Sequence, residues 1–355
     1  MEESFLLNGR ANGTIANRLI TCNCDVNALR PYIDKRGRSC ISVVHNSKLV
    51  KVPLTSNADA VLTKDEWIHL DTQVMRIARA PMRAVLDLRT AGLVYSIPNG
   101  MGSTVLQTQR MSDAGNAIVS MDAIRRSDAD RPVFDLTNLP LPIISSDFSF
   151  TAREISTARR GGAPLDTTMA ENATRRVMEE AEKFVCGTRD TYTYGGGTIY
   201  GYCNYPDAIT KTFTDPTDSS WTPATLILEI LDMVQKLKDA LHFGPYVLYF
   251  DDKWGQYLNE DYNSNYPNMT LLQRIRQIEG ISDVRMLNFF DDYKATLIQM
   301  TSDVVRLVIG MEVVTVQWET EGGMLVNFKV MCIMVPQLRV DKDDNAGLVV
   351  ASVAA

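Results

Sequence analysis

Three histidines, His45, His69 and His242, are the only side chains of the 355 residues that titrate near neutral pH without help from their surroundings. None stands in a nucleophile elbow, a zinc-protease helix or a redox dithiol motif: G-x-S-x-G, H-E-x-x-H and C-x-x-C are all absent. His69 falls beside the apolar stripe of an expected helix. His242 falls in the last turn of another, where a cation suits the helix dipole. Cys22 and Cys24 lack partners at zinc-ligand spacing. The run from Asp341 to Asn345 opens like a calcium loop, but its sixth position is Ala346 where glycine is needed, and the distant glutamate is missing. It reads as a solvated turn between strands. Gly195 and Gly197 are followed by Tyr200, where a dinucleotide fingerprint needs glycine, and no G-K-[ST] occurs. A flexible or close-packed loop fits better. The sequence therefore assigns no catalytic residue, no cofactor and no metal, and reads as non-enzymatic.

The length predicts about two domains of about 150 residues. Hydrophobic residues make up 45% and charged residues 22%, which excludes a disordered chain. The net charge is −7, against a protein whose main task is coating nucleic acid. Residues 1–200 carry 24 basic and 22 acidic side chains, whereas 201–355 carry 12 and 21, so the halves face different surroundings. Acids stand where a signal peptide needs positive charge, no run reaches the length of a membrane span, and the six scattered cysteines read as reduced thiols. The expectation is a soluble chain made in a cytoplasm, with no membrane partner.

Residues 1–62 are polar and turn-rich and read as an arm, with 8 basic and 5 acidic side chains. Thr63 and Glu66 form a capping-box pattern opening a helix whose stripe runs through Trp67, Leu70, Val74, Ile77, Ala84 and Leu88, with an interruption at Pro81 and an end at Gly92. Residues 93–151 change to strand patterns too poor in apolar residues to form their own core. A second helix spans 168–186, capped by Thr168 with Glu171. It buries Ala173, Val177, Ala181, Phe184 and Val185, and turns Arg175, Arg176, Glu179, Glu180 and Lys183 outward. Thr222 and Pro223 open a third, striped by Ile227, Ile230, Val234, Leu237 and Leu241. Gly244-Pro245 stops it, and the buried strand YVLYF follows. Short helices near 252–262 and 270–279 and the strands VRMLNF, ATLIQMT, VVRLVIG, LVNFKVMCIMV and LVVASV complete the chain.

Four segments in order resemble one family: LTNLPLPIISSDFSFTAREI leading into GGAPLDTTMAENATRRVMEEAEKFVCG, then GPYVLYFDDKWGQYLNEDY, then MTSDVVRLVIGMEVVTVQWETEGG. From about Thr63 to the C-terminus the chain is similar to major capsid proteins of tailed bacteriophages, in the branch shared with encapsulin (linocin-type) shell proteins. The resemblance implies an α+β, Hong-Kong-97-like fold. It divides the chain into an N-terminal arm at 1–62, a peripheral-domain helix at 63–92 and an extended loop at 93–150. A peripheral domain with the spine helix follows at 151–189, then an axial domain at 190–325 and peripheral strands with the tail at 326–355.

The implied function is a self-assembling subunit of the icosahedral head that encloses a tailed phage's DNA. The alternative is an encapsulin shell around cargo enzymes, which the extra arm disfavours. Partners would be copies of itself in hexamers and pentamers, packaged double-stranded DNA held by non-specific contact, and portal, scaffolding and decoration proteins as accessories. The location would be the virion, with assembly in the host cytoplasm. Contact residues implied are Val105, Leu106, Arg110, Ile118, Arg125, Arg126 and Arg131 of the extended loop, Arg175, Arg176, Glu179 and Lys183 of the spine, and Arg10, Arg18, Arg30, Lys35, Arg36 and Arg38 of the arm. An acid-poor arm suits contact with DNA phosphates.

Some capsids of this fold join a loop lysine covalently to a neighbour's asparagine. Here no lysine occurs between Lys64 and Lys183, and the arginines that remain stay protonated and are poor nucleophiles. Boiled particles are expected to run as a single band near 39.6 kDa under reducing, denaturing conditions. A ladder of covalent oligomers would contradict this.

Overall fold

The computed structural model describes residues 31–34, 39–45, 48–53, 62–78, 82–111, 134–161, 167–219, 221–262, 269–291, 293–340 and 346–353. The segment expected to be a plain arm contains an antiparallel meander of β1 (Tyr32–Ile33), β2 (Ser39–His45) and β3 (Lys48–Pro53). Its register sets Ile41 against Val52 and Val43 against Val50, β-branched residues that favour extended backbone. Two bonds tie its start to the next helix: Trp67 Nε1 donates to the Pro31 carbonyl at 2.9 Å, and Ile33 N–H to that of Leu62 at 3.0 Å.

The expected helix from Thr63 becomes two, α1 (Lys64–Ala78) and α2 (Arg83–Thr90), and Pro81, where an interruption was expected, lies outside the described residues. The capping box forms as spaced: Thr63 N–H donates to Glu66 Oε2 at 2.8 Å, and Glu66 N–H to Thr63 Oγ1 at 3.3 Å. Gly92, at φ 73°, follows α2 and donates to the Arg89 carbonyl.

Next come β4 (Val94–Ser96), β5 (Val105–Met111), β6 (Phe134–Pro140) and β7 (Ile144–Thr151). They do not form one hairpin, as the extended-loop reading of 93–150 supposed. Only β5 and β6 pair with each other, whereas β4 and β7 join other strands. Thr151 and Glu154 make a second capping box that opens α3 (Ala152–Gly161). The long helix α4 (Thr168–Cys186) takes Thr167 as its N-cap, one residue earlier than expected, and ends at Gly187, at φ 77°. Its predicted stripe is buried throughout.

The remaining elements are β8 (Tyr192–Tyr194), β9 (Gly197–Ile199), β10 (Ile209–Phe213), α5 (Pro223–Asp239), β11 (Tyr246–Asp251), α6 (Gly255–Leu258), α7 (Leu271–Arg276), β12 (Ile281–Leu287), β13 (Ala295–Gln299), β14 (Val305–Thr320), β15 (Leu325–Leu338) and β16 (Leu348–Val353). A four-stranded sheet runs β4-β14-β15-β7 and a five-stranded mixed sheet runs β10-β16-β13-β11-β12. Two expected groupings change. β14, expected within 190–325, pairs along most of its 16 residues with β15, from the group expected at 326–355. β16 leaves the tail group and sits between β10 and β13.

α4 packs on β7 and β15, where Phe148 stacks on Phe328 at 5.1 Å and Trp67 and Phe150 meet Phe328 edge-on. Strand β11 is buried on both faces. Val247 and Tyr249 enter this cluster, while Tyr246, Leu248 and Phe250 enter a second one under α5 and α7.

α2 packs in the first cluster through Ala84, Val85 and Leu88. Ala84 and Val85 N–H donate to Glu182 Oε1 and Oε2 of α4 at 2.7 and 3.0 Å. One turn on, Asp87 accepts from Tyr249 OH at 2.9 Å and pairs with Arg285 of β12. Burial pushes the Glu182 carboxyl above its usual range, and the two backbone donors pull it partly back. A folded-state pKa that is raised gives a contribution present below the unfolded carboxyl range and lost as pH rises through the folded value.

Replacing Glu182 with Ala should lower stability by about 1–3 kcal/mol, because two buried N–H groups lose their acceptor. Urea denaturation at neutral pH measures it, and a variant as stable as the parent would refute the role given to this carboxylate. Glu182→Gln should also flatten the fall in stability between acid and neutral pH.

Candidate assembly surfaces

The β5–β6 hairpin runs in register from Val105 opposite Pro140 to Met111 opposite Phe134. Of the loop residues singled out, Val105 and Leu106 lie half-buried at its base, and Leu106 packs on the subunit's own core. Arg110 stands opposite Asp135 in the ladder. Ile118, Arg125, Arg126 and Arg131 lie outside the described residues.

The base is built into the subunit. Leu139 and Leu141 are buried, and Asn138 Nδ2 donates to the Gly195 carbonyl at 3.0 Å. Here the glycine loop finds its use. Gly195 and Gly196, both at positive φ, make the two-residue turn joining β8 to β9. A Cβ on Gly197 would stand 2.1 Å from the Asn138 carbonyl oxygen, so only glycine lets the two hairpins touch there. No close backbone approach of that kind was legible from the G-x-G spacing, whose partner lies 59 residues earlier in the chain. A cavity of about 390 Å³ opens beside this junction, lined by Thr108, Asn138, Tyr200, Tyr205, Gln337 and Arg339 among others.

On α4 the outward face is as predicted for Arg175 and Arg176, which are exposed, with Arg175 bonded to Asn172 Oδ1 at 2.8 Å. Glu179 is half-exposed. Lys183 is engaged within the chain: it pairs with Glu180 at 2.9 Å and lies over the Phe289 ring, while Arg189 pairs with the other Glu180 oxygen. Such surface pairs contribute about 0–1 kcal/mol each. Arg10, Arg18, Arg30, Lys35, Arg36 and Arg38 lie outside the described residues.

Leu241 contradicts its expected place in the α5 stripe, for it is exposed, as are Leu228, Leu231 and Phe243. α5 ends at Asp239, so the helical spacing that would bury position 241 no longer applies. His69 is exposed and His242 is buried beyond the helix. Burial pushes the Cys203 and Cys332 thiols up to about 12, which leaves them inert as nucleophiles. Among the described residues no group of His, Cys, Asp and Glu is arranged to hold a metal.

The sequence model of a family described as of unknown function (DUF6260) matches residues 57–351. The type 1 encapsulin shell protein EncA of Myxococcus xanthus is 24% identical over 227 residues, 62% of this chain and 71% of that protein. Among solved structures, the virus-like particle from Pyrococcus furiosus superposes with a TM-score of 0.57 at 16% identity, covering 81% of this chain and 99% of that one. The capsid of Myoviridae phage XM1 gives 0.55 at 12% identity, covering 75% and 90%. The fold is therefore the α+β, Hong-Kong-97-like capsid fold that the sequence resemblance implied.

Gly197→Ala should loosen the hairpin base, since the added methyl cannot share space with the Asn138 carbonyl. Limited proteolysis should then cut between Met111 and Phe134 several-fold faster, with β11 and its surroundings still protected. An unchanged cleavage rate would show that the glycine–carbonyl approach does not hold the hairpin.

Proposed function

The chain belongs to the DUF6260 family, a family of unknown function, and we propose that it is a self-assembling shell subunit, the major capsid protein of a tailed-phage head. The observation that carries this reading is the fold likeness that spans nearly the whole subunit of a virus-like particle and most of a phage capsid subunit. The role is structural and non-enzymatic. The partners are copies of the same chain in pentamers and hexamers, with DNA, portal, scaffolding and decoration proteins as further partners. The site is the virion, after assembly in host cytoplasm. No helix among the described residues is long and apolar enough to cross a membrane.

Physical features of the chain support assembly. Among the described side chains, β5 and β6 carry little apolar burial beyond their base, so a neighbour would cover the hairpin for it to be stable. Large apolar side chains such as Ile68, Leu136, Ile143 and Met169 face outward on separate elements. On this reading the domain scheme keeps its peripheral and axial parts, with β14 moved to the former and β16 to the latter.

A second reading, an encapsulin shell enclosing enzymes, is favoured by the Myxococcus xanthus relative. The segment ahead of α1, with its own three-stranded sheet, favours the phage reading.

The purified chain should form closed shells visible by electron microscopy and sediment far faster than a monomer. Shells made in the native host separate the readings: genomic DNA inside supports the phage capsid, and a packaged enzyme the encapsulin. A chain that stays monomeric at every concentration would defeat both.

A further inference from the structure

The cavity of about 390 Å³ beside the hairpin root falls in the size range of small-molecule sites. Four stretches of chain meet there: the β5–β6 hairpin, the β8–β9 turn, the loop around Tyr205 and the end of β15. Arg306 stands opposite Gln337 in the β14–β15 ladder, and Arg339 N–H bonds to the Val304 carbonyl at 2.8 Å, so strand alternation puts Arg306, Gln337 and Arg339 on one face. Gln337 is buried with both ends of its amide engaged. Its Oε1 accepts from Arg306 Nε at 2.6 Å, and its Nε2 donates to Thr108 Oγ1 at 3.2 Å. Thr108 lines the cavity and only accepts in that bond, which leaves its hydroxyl hydrogen to donate. Among the described residues neither Arg306 nor Arg339 has a carboxylate within ion-pair distance. Arg306 lies over the Tyr95 ring at 4.4 Å, and Arg339 has one long bond, Nη1 to the Ser302 carbonyl at 3.5 Å. Burial and the neighbouring Arg339 charge hold the Arg306 guanidinium below its usual range, against a smaller opposing effect of Tyr95. Two guanidiniums that feel each other and lack a counter-ion are relieved by an anion. Across the cavity, Asn138 Oδ1 is buried and accepts no hydrogen bond, an arrangement that is costly until a donor meets it.

We propose that this cavity binds a small hydroxylated phosphate monoester, with Arg339 at the phosphate, Arg306 held behind it through Gln337, Thr108 donating to a phosphate oxygen, and Asn138 Oδ1 accepting from a ligand hydroxyl. The proposal goes beyond the shell reading and does not rest on it. Charge selects the phosphate. Two cations stand unmatched, and a phosphate monoester carries about −1.5 to −2 charge at pH 7 with three acceptor oxygens, whereas a carboxylate would leave one cation unanswered. The orphaned acceptor selects the hydroxyl, because a bare oxyanion at neutral pH offers Asn138 little to accept. Tyr200 and Tyr205, edge to face at 5.8 Å, give the ligand's C–H face an apolar wall. Asp207 is the one acid among the described lining residues. It is exposed and pairs with neither arginine, so water screens it from the phosphate.

Isothermal titration calorimetry on the full-length chain tests this with three probes: ribose 5-phosphate, inorganic phosphate and ribose. Ribose 5-phosphate is expected to bind once per chain, about tenfold or more tighter than inorganic phosphate, and ribose to give no measurable heat. Arg339→Gln should weaken ribose 5-phosphate about tenfold or more, and Thr108→Val about three- to tenfold. The two variants lie on different elements, so if one fails to fold the other still carries the test. No binding by any probe, ribose binding as tightly as its phosphate, or a folded variant of either kind binding like the parent would overturn the inference. Inorganic phosphate binding as tightly as ribose 5-phosphate would overturn the assignment of an ester.

Discussion

Two buried carboxylates on either side of one short helix tie the protein together. α2 has eight residues, too few to be stable in isolation, and its first free N–H groups face the interior rather than water. Glu182 reaches across from α4 and takes two of them, placing negative charge at the positive end of the helix dipole. Asp87 then projects from the same helix to Tyr249 and Arg285 in the five-stranded sheet, and Arg285 is steadied by Asp283 at 2.8 Å. Arg83 adds a bond to the Met286 carbonyl at 3.0 Å. α2 thus links α4 to the five-stranded sheet by polar bonds. Desolvating a carboxylate is costly, so neither acid would be tolerated without these donors, and removing one partner costs more than the pair contributes. This arrangement fixes geometry more than it adds stability.

The apolar packing follows the frame so defined. Tyr249 stacks on Tyr202 at 5.6 Å, and Tyr202 N–H donates to the Val185 carbonyl, so the residues just after α4 close over the same face of β11 that α2 holds by its polar bonds. Gly201 sits against the end of α4 so closely that a Cβ would stand 2.3 Å from the Phe184 carbonyl oxygen. Burying one large side chain here contributes about 1.5–3 kcal/mol, and forcing one extra methyl into a tight site costs about 1–3 kcal/mol. A single misplaced Cβ therefore cancels a whole buried leucine or phenylalanine. Hydrophobic burial supplies the magnitude, and glycines and carboxylates decide which packing can realise it.

What the sequence revealed divides by the range of the interaction. Thr63 with Glu66 and Thr222 with Pro223 were legible because a cap involves residues three apart or adjacent, and both formed. Thr167 displaced Thr168 because two neighbouring threonines are equally able to start a helix and the backbone chooses between them. Glu182 was not legible, since its partners Ala84 and Val85 lie nearly a hundred residues away, and a charge on a helix reads as solvated until those partners are known. β14 was expected to end near Gly310. The strand instead continues with irregular register past Ile309, and Gly310 lies where Gly100 approaches so closely that a Cβ on Gly100 would meet the Gly310 carbonyl oxygen at 2.1 Å. There glycine marks a close approach rather than an end. Leu241 failed for a third reason: helical periodicity describes a side chain only while the helix lasts. The cap and the apolar stripe located the long helix, whereas the contact residues that the family resemblance implied on the loop apex and arm fall mostly outside the described residues.

The same contrast separates what holds a subunit from what would join subunits. Inside, Glu182 and Asp87 are buried, with all their donors buried except the half-exposed Arg285, and disrupting either is costly. Outside, the α4 face carries Glu180 shared between Lys183 and Arg189, partly exposed pairs that salt screens and a neighbour can rearrange at little cost. The hairpin shows both regimes in one element. Its base is fixed by a glycine–carbonyl approach and buried leucines, while its strands, seven residues each and about 23 Å long at the usual rise, leave residues such as Gln107, Gln109 and Leu136 in water. A lever is useful for reaching a neighbour only if its root does not move, and the root is where this chain placed glycine. On the proposed shell reading, strong, specific contacts within the subunit and weak ones at its surface would let copies dissociate and correct errors until enough contacts act together to close a shell.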